Sequence, residues 1–161
     1  MKPQSSPRIL LVCLGNICRS PTAHGVLEHR LNEAALDVFV DSAGTAAYHV
    51  GNPPDHRATA AAQRRGIRLD HLRARQVATD DFERFDLVLA MDRENLEDLL
   101  ALCPIEHRGK VRLFQEFAGE RAVLREVPDP YYGGDDGFEQ VLDLVEVATE
   151  GLIEHLRREC P

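Results

Sequence analysis

Apolar positions fall along the chain in two alternating rhythms. Residues 8–13, "RILLVC", form a continuous apolar run of strand length, and residues 20–36, "SPTAHGVLEHRLNEAAL", repeat Val26, Leu27, Leu31 and Ala34 at helical spacing. Ser20 before Pro21 predicts the helix start, a hydroxyl N-cap followed by proline in the first turn. A second strand is predicted over 37–42, "DVFVDS", then a helix over 55–66, "DHRATAAAQRRG", with Asp55 near its cap and Gly66 near its stop. A third strand, "DLVLAM" (86–91), runs into Asp92 and a helix over 93–102 that stops before Pro104, and "KVRLF" (110–114) is a shorter fourth strand. Phe138, Val141, Leu142, Val145, Ala148, Leu152 and Leu156 share one side of residues 137–158, which predicts a long amphipathic helix packed on the sheet.

Strands alternating with helices predict an α/β fold, a doubly wound four-stranded parallel sheet with helices on both faces. Ligands in such folds sit beyond the carboxyl ends of the strands, and here the loop after strand 1 carries "CLGNICRSP". A chain of 161 residues, 43% hydrophobic, suits a single domain over 1–161, with residues 1–7 as a flexible N-terminal extension. The first apolar run spans only residues 9–14 and has no cleavage pattern, so a cytoplasmic protein that does not span a membrane is expected. A formal net charge of −8 argues against nucleic acid and anionic membranes as partners. Any anion must be captured locally. The basic stretch "QRRGIRLDHLRARQ" (63–76) reads as a solvated helix end and loop.

Four cysteines, Cys13, Cys18, Cys103 and Cys160, are too few and too unevenly placed for a secreted disulfide framework. The loop after strand 1 explains the first pair better. A tight turn at a helix N-terminus aims backbone N–H groups and the positive helix end at one point, which favours an anion such as phosphate. Gly15 is expected to permit the backbone twist, and Arg19 to supply a permanently charged fork for two phosphate oxygens. The same field favours the thiolate of Cys13, which is the nucleophilic form. Taken singly, a strand-end cysteine is core packing, Ser-Pro is a cap and Gly-Asn is a turn; together they are far more restrictive. A nucleotide-triphosphate loop requires G-x-x-x-x-G-K-[ST], and that lysine is absent.

"VCLGNICRSP" resembles the signature of the low-molecular-weight protein tyrosine phosphatases, with its C-x5-R-S core. "VPDPYYGG" (127–134) resembles the family's second motif, and "SAGT" (42–45), "HLRARQ" (71–76) and "AMDRENL" (90–96) follow in family order over nearly the whole chain. The resemblance implies Cys13 as nucleophile, Arg19 as phosphate clamp and Asp129 as general acid, then base, around a phosphocysteine intermediate. It implies a phosphate-binding loop of Leu14, Gly15, Asn16, Ile17, Cys18 and Ser20, in which Asn16 braces the turn and Ser20 also donates its hydroxyl to the thiolate. Ser42, His71 and Asp92 are implied members of a supporting polar network, although residue by residue they read as a strand-end hydroxyl, a loop residue and a helix cap.

Tyr48, Tyr131 and Tyr132, with Leu14 and Ile17, are expected to wall an aromatic slot for phosphotyrosine. Many relatives carry tryptophan where Tyr48 stands, and a branch resembling protein-arginine phosphatases carries threonine where Ile17 stands. Expected partners are phosphotyrosine-containing proteins as substrates and inorganic phosphate or related oxyanions as inhibitors. No cofactor is expected, and the seven histidines lack metal-ligand spacing, so no metal is expected either. Cys18 is either a small side chain packed under the loop or a redox guard that closes a reversible disulfide with Cys13. An arsenate-reductase-like enzyme and a noncatalytic phosphopeptide module are the alternatives. The first needs relay cysteines, and Cys103 and Cys160 stand isolated; the second has no use for thiol, arginine and acid together.

Overall fold

The computed structural model describes residues 6–131, 133–134 and 136–159. Residues 1–5, Tyr132 and Cys160 lie outside the described residues, so the expectations placed on them do not enter below. Strand β1 (Arg8–Cys13) pairs in parallel with β2 (Phe39–Gly44) on one side and β3 (Leu87–Ala90) on the other, and β3 pairs with β4 (Val111–Leu113). The sheet order is β2-β1-β3-β4. Successive side chains of a strand point to opposite faces, and β1 is apolar and buried from Ile9 to Cys13 because both of its faces are covered. Ile9, Leu11 and Cys13 enter one core, and Leu10 and Val12 the other.

Helices α1 (Arg19–Glu33), α2 (His56–Gln63) and α5 (Asp136–Glu159), with a 3-10 stretch at Phe114–Arg121, supply the first core. Helices α3 (Asp81–Arg84) and α4 (Arg93–Leu102) cover the other face through Phe82, Leu96 and Leu99. The chain leaves β1 for β2 on one side and later returns to β3 on the other. The loops after β1 and β3 therefore part at the carboxyl ends of adjacent strands, which opens a crevice there.

Several boundaries shift for local reasons. β2 begins at Phe39 rather than residue 37, because its register starts with Arg8 opposite Phe39 and the Phe39 amide donates to the Pro7 carbonyl at 2.9 Å. α1 ends at Glu33 rather than residue 36. Ala35 turns left-handed at φ 55°, and the amides of Ala34 and Leu36 fold back onto the carbonyls of Arg30 and Leu31. α3 and the 3-10 segments are too short to show a period. The basic stretch is not simply solvated: Arg65 meets Glu139, Asp143 and Glu146 of α5, and Arg75 meets Asp41 and Asp81. Among the described residues no helix is long and apolar enough to cross a membrane.

Candidate active site

The loop from Leu14 to Cys18 leaves β1 and enters α1 directly. The Cys13 side chain is buried, and its Sγ accepts the Asn16 amide at 3.2 Å and lies 3.1 Å from Ser20 Oγ. Ser20 is not the helix cap. Cys18 occupies that position without a side-chain cap bond, so Ser20 lies inside the first turn. Helical side chains lean toward the N-terminus, and this lean turns the Ser20 hydroxyl back toward the sulfur. Asn16 Nδ2 donates to that same hydroxyl at 2.7 Å, and Ser20 Oγ stands 3.4 Å from the Ala43 carbonyl.

The left-handed residue of the loop is Asn16, at φ 58°, and not Gly15. Asparagine tolerates that region because its short polar side chain bonds locally. Its Oδ1 accepts the Arg75 amide at 3.0 Å, so the loop is braced against residues 74–77, which run beside the end of β2. Gly15 is needed for space instead: a Cβ there would lie 2.9 Å from the His49 ring. Gly44 is tighter still, since a Cβ would stand 2.7 Å from the Leu14 carbonyl. "SAGT" thus ends β2 without a side chain where the loop passes.

Topology supplies the rest. Asp92 follows β3 at the crevice, where it caps α4 by accepting the Asn95 amide at 2.7 Å and takes Arg19 Nη1 on its other oxygen at 2.5 Å. Arg19 is 2% exposed, and the same Nη1 donates to the Val127 carbonyl at 3.0 Å. Val127 is also pinned by its amide to the Met91 carbonyl at 2.8 Å, so the segment carrying Asp129 is anchored beside the loop. Asp129 Oδ2 stands 3.8 Å from Arg19 Nη2, and its side chain is 41% exposed. Burial opposes the Arg19 charge, but Cys13, Asp92 and Asp129 outweigh it and hold the guanidinium above its ordinary value.

Cys13, Leu14, Gly15, Ile17, Cys18 and Arg19 line a cavity of about 300 Å³ with Tyr48, His49, Asp129 and Tyr131. Tyr48 stands at the mouth, 77% exposed. The His49 ring lies near both tyrosines, with centroids 6.4 Å from Tyr48 and 6.3 Å from Tyr131, and its place was not legible in the sequence. Burial, then the charges of Asp55, Cys13 and Asp129, push the Cys18 thiol up to about 12, against the opposing charge of Arg57.

Two of the expected supporting residues lie elsewhere. Ser42 bonds His24 Nδ1 at 2.9 Å, His24 meets Glu28 at 3.4 Å, and His71 meets Glu28 at 3.6 Å. This chain runs along α1 beyond Ser20, and among the described residues neither Ser42 nor His71 bonds to the loop side chains. The reason is the direction of β2: Ser42 pairs with Leu11 and faces the middle of α1, whereas the loop lies beyond the strand end. Asp92 alone of the three reaches the site. His24 carried no periodic or motif signal of its own, and Arg75, although within "HLRARQ", gave no sign there of its bond to Asn16, 59 positions away.

The family model described as "Low molecular weight phosphotyrosine protein phosphatase" matches residues 8–161. A putative low molecular weight protein-tyrosine-phosphatase of Synechocystis is 46% identical over 155 residues, covering 94% of this chain and 98% of its own. The human low molecular weight phosphotyrosine protein phosphatase is 39% identical over 149 residues, covering 88% and 90%. Among solved structures, a protein tyrosine phosphatase from Entamoeba histolytica with Hepes in the active site superposes with TM-score 0.92 at 40% identity, covering 96% of this chain and 99% of that one. YfkJ from Bacillus subtilis gives TM-score 0.92 at 34% identity over 99% and 100%. The loop, the sheet order and these matches agree: the chain belongs to the low molecular weight phosphotyrosine protein phosphatase family.

Proposed function

We propose that residues 8–161 act as one domain that hydrolyses phosphotyrosine monoesters through a phosphocysteine intermediate. Cys13 is the nucleophile, Arg19 the phosphate clamp and Asp129 the general acid and then base. The observation that carries this reading is the setting of the Cys13 sulfur, which has the Asn16 amide and the Ser20 hydroxyl as neighbours and shares its cavity with a buried arginine and a half-exposed carboxyl group. Hepes in the active site of the Entamoeba relative supports oxyanion capture.

In the first step the thiolate attacks phosphorus in line, the S–P bond forms, and the bond to the phenol oxygen breaks as Asp129 gives it a proton. Arg19 and the loop amides hold the three equatorial oxygens, over which the charge of the transferring group is spread. In the second step Asp129 takes a proton from water, water attacks phosphorus, and Cys13 leaves as thiolate. The Ser20 proton is shared between the sulfur at 3.1 Å and the Ala43 carbonyl at 3.4 Å. A charged sulfur is the stronger acceptor, so Ser20 eases that departure.

Phosphotyrosine suits the rim. Leu14, Ile17, Tyr48 and Tyr131 give the ring apolar and aromatic walls, and the base of the cavity is polar. The partners are phosphotyrosine-containing proteins, with phosphate and related oxyanions as inhibitors. Sparse, scattered cysteines support a cytoplasmic setting.

Turnover of an aryl phosphate against pH tests the assignment. Catalysis needs Cys13 ionised and Asp129 protonated, so kcat/KM is expected to be bell-shaped with its optimum on the acidic side of neutral. Asp129→Asn is expected to lower kcat by about 100-fold or more and flatten the limb that depends on the acid. An unchanged profile removes Asp129 from the mechanism.

Cys18 fits a guard's role. Peroxide converts the Cys13 thiolate to a sulfenic acid; the Cys18 sulfur then attacks it, and a disulfide forms with loss of water. With its thiol pushed up to about 12, Cys18 stays protonated at neutral pH, so it does not compete with Cys13 for substrate or alkylating agent, and in the guard step its proton leaves with the sulfenic hydroxyl as the water lost. Iodoacetamide at neutral pH is accordingly expected to label Cys13 first. Thiol reductant is expected to restore peroxide-treated wild type fully, and Cys18→Ala only in part; equal recovery of the two rejects the guard.

A further inference from the structure

We propose that Arg57 is the positioning residue that orients the Asp129 carboxyl group over the cavity, an inference that rests on the phosphatase reading above. Arg57 sits in the first turn of α2, beside the N-cap Asp55. Asp55 is tied to the phosphate-binding loop, since its amide donates to the Ile17 carbonyl at 2.8 Å. Its carboxylate accepts Arg57 Nε at 3.1 Å and Nη2 at 3.0 Å, a two-point grip that fixes the plane of the guanidinium.

From that plane Nη2 also donates to the Tyr131 carbonyl at 3.0 Å. The guanidinium carbon lies 4.7 Å from the Phe138 ring centroid and 5.6 Å from that of Tyr131, within cation–π range of both. One fork thus links the phosphate-binding loop, the segment bearing Asp129 and the start of α5.

The link to the carboxyl group runs through Tyr131. The Tyr131 amide donates to Asp129 Oδ1 at 3.0 Å, and its carbonyl is the group that Arg57 holds. The residue that orients Asp129 is therefore held at one end by the carboxylate and at the other by Arg57. Asp129 Oδ2 reaches only to 3.8 Å from Arg19, and the side chain is 41% exposed, so its direction depends on that short turn. Lysine cannot copy this arrangement, because a point charge cannot grip Asp55 at two points, reach the Tyr131 carbonyl and stack on a ring at once.

Arg57 does not itself line the cavity, so its expected effect falls chiefly on proton delivery through Asp129. Proton delivery matters in proportion to the basicity of the leaving oxygen. Phenyl phosphate, whose phenol resembles that of tyrosine, needs the acid; dinitrophenyl phosphate, whose phenolate departs as an anion, does not. The measurement is kcat/KM, which reports events up to the first bond cleavage and is blind to hydrolysis of the intermediate.

Arg57→Gln is expected to lower kcat/KM by about tenfold for phenyl phosphate and by less than about twofold for dinitrophenyl phosphate. Arg57→Lys is expected to fall between, and Phe138→Leu, which removes the ring under the guanidinium, to show the same selectivity with a smaller loss. Equal losses on both esters in these variants, or no loss on either, overturn the inference. Should Arg57→Gln fail to fold, the lysine and Phe138 variants decide it by the same ratio. Wild-type turnover of neither ester overturns the phosphatase reading and this inference with it, whereas wild-type turnover with no selective loss overturns this inference alone.

Discussion

Cys13→Ser is expected to lower kcat for aryl phosphates by a factor on the order of 10⁴ or more while inorganic phosphate still binds. The magnitude follows from what surrounds the sulfur. Its hydrogen-bonding neighbours are the Asn16 amide and the Ser20 hydroxyl. Both can stabilise an anion already formed, and neither can remove a proton. A site built this way requires a nucleophile that ionises unaided near neutrality, which a thiol does and an alcohol does not. Phosphate binding rests on Arg19 and the loop amides, which the substitution leaves in place. Single-turnover kinetics and calorimetric titration with phosphate measure the two quantities. A residual rate within about tenfold of wild type rejects Cys13 as nucleophile.

Arg19→Lys is expected to be almost as severe, with kcat/KM lower by about 10³-fold although the charge is kept. The guanidinium has structural duties and chemical ones. Nη1 serves Asp92 at 2.5 Å and the Val127 carbonyl at 3.0 Å, and Nη2 is the arm nearer Asp129. An ammonium placed to satisfy Asp92 abandons either the Val127 carbonyl or the substrate oxygens. Losing the Val127 bond costs about 1 kcal/mol and loosens the segment that carries Asp129. The expected signature is a modest fall in Tm with a large fall in kcat/KM, for both good and poor leaving groups. That breadth separates Arg19 from Arg57, whose variants are selective. A lysine variant within about tenfold of wild type shows that a point charge suffices and removes the clamp from the mechanism.

The phosphate-binding loop was legible because its chemistry is contiguous. Cys13, Asn16, Arg19 and Ser20 fall within one strand-loop-helix unit, where backbone geometry alone brings thiol, amides and guanidinium together. Even so, details went the other way. Ser20 looked like a cap because Ser-Pro is a good helix start, and helix entry at Arg19 instead turned its hydroxyl toward the sulfur. Gly15 looked like the left-handed residue, but Asn16 takes that conformation because Arg75 and Ser20 partner its side chain. Asp129 was legible only through a motif, since a carboxyl group before proline is by itself a turn residue.

The alternation of short apolar runs with helical periods determined the four strands, the long helices and therefore the doubly wound class, because burial on both faces of a parallel sheet leaves its mark on each local segment. The sequence by itself also determined the thiol, the arginine and the candidate acid. Only the tertiary structure decided who assists them. Arg19 meets Asp92 across 73 positions, Asn16 meets Arg75 across 59, and Arg57 meets Tyr131 across 74. Such pairs leave no period and no spacing in the chain. Arg19 meets Asp92 because strand order β2-β1-β3-β4 brings the loops after β1 and β3 to one crevice, and the other pairs form where residues 74–77 and the segment bearing Tyr131 reach that same crevice once the sheet is formed.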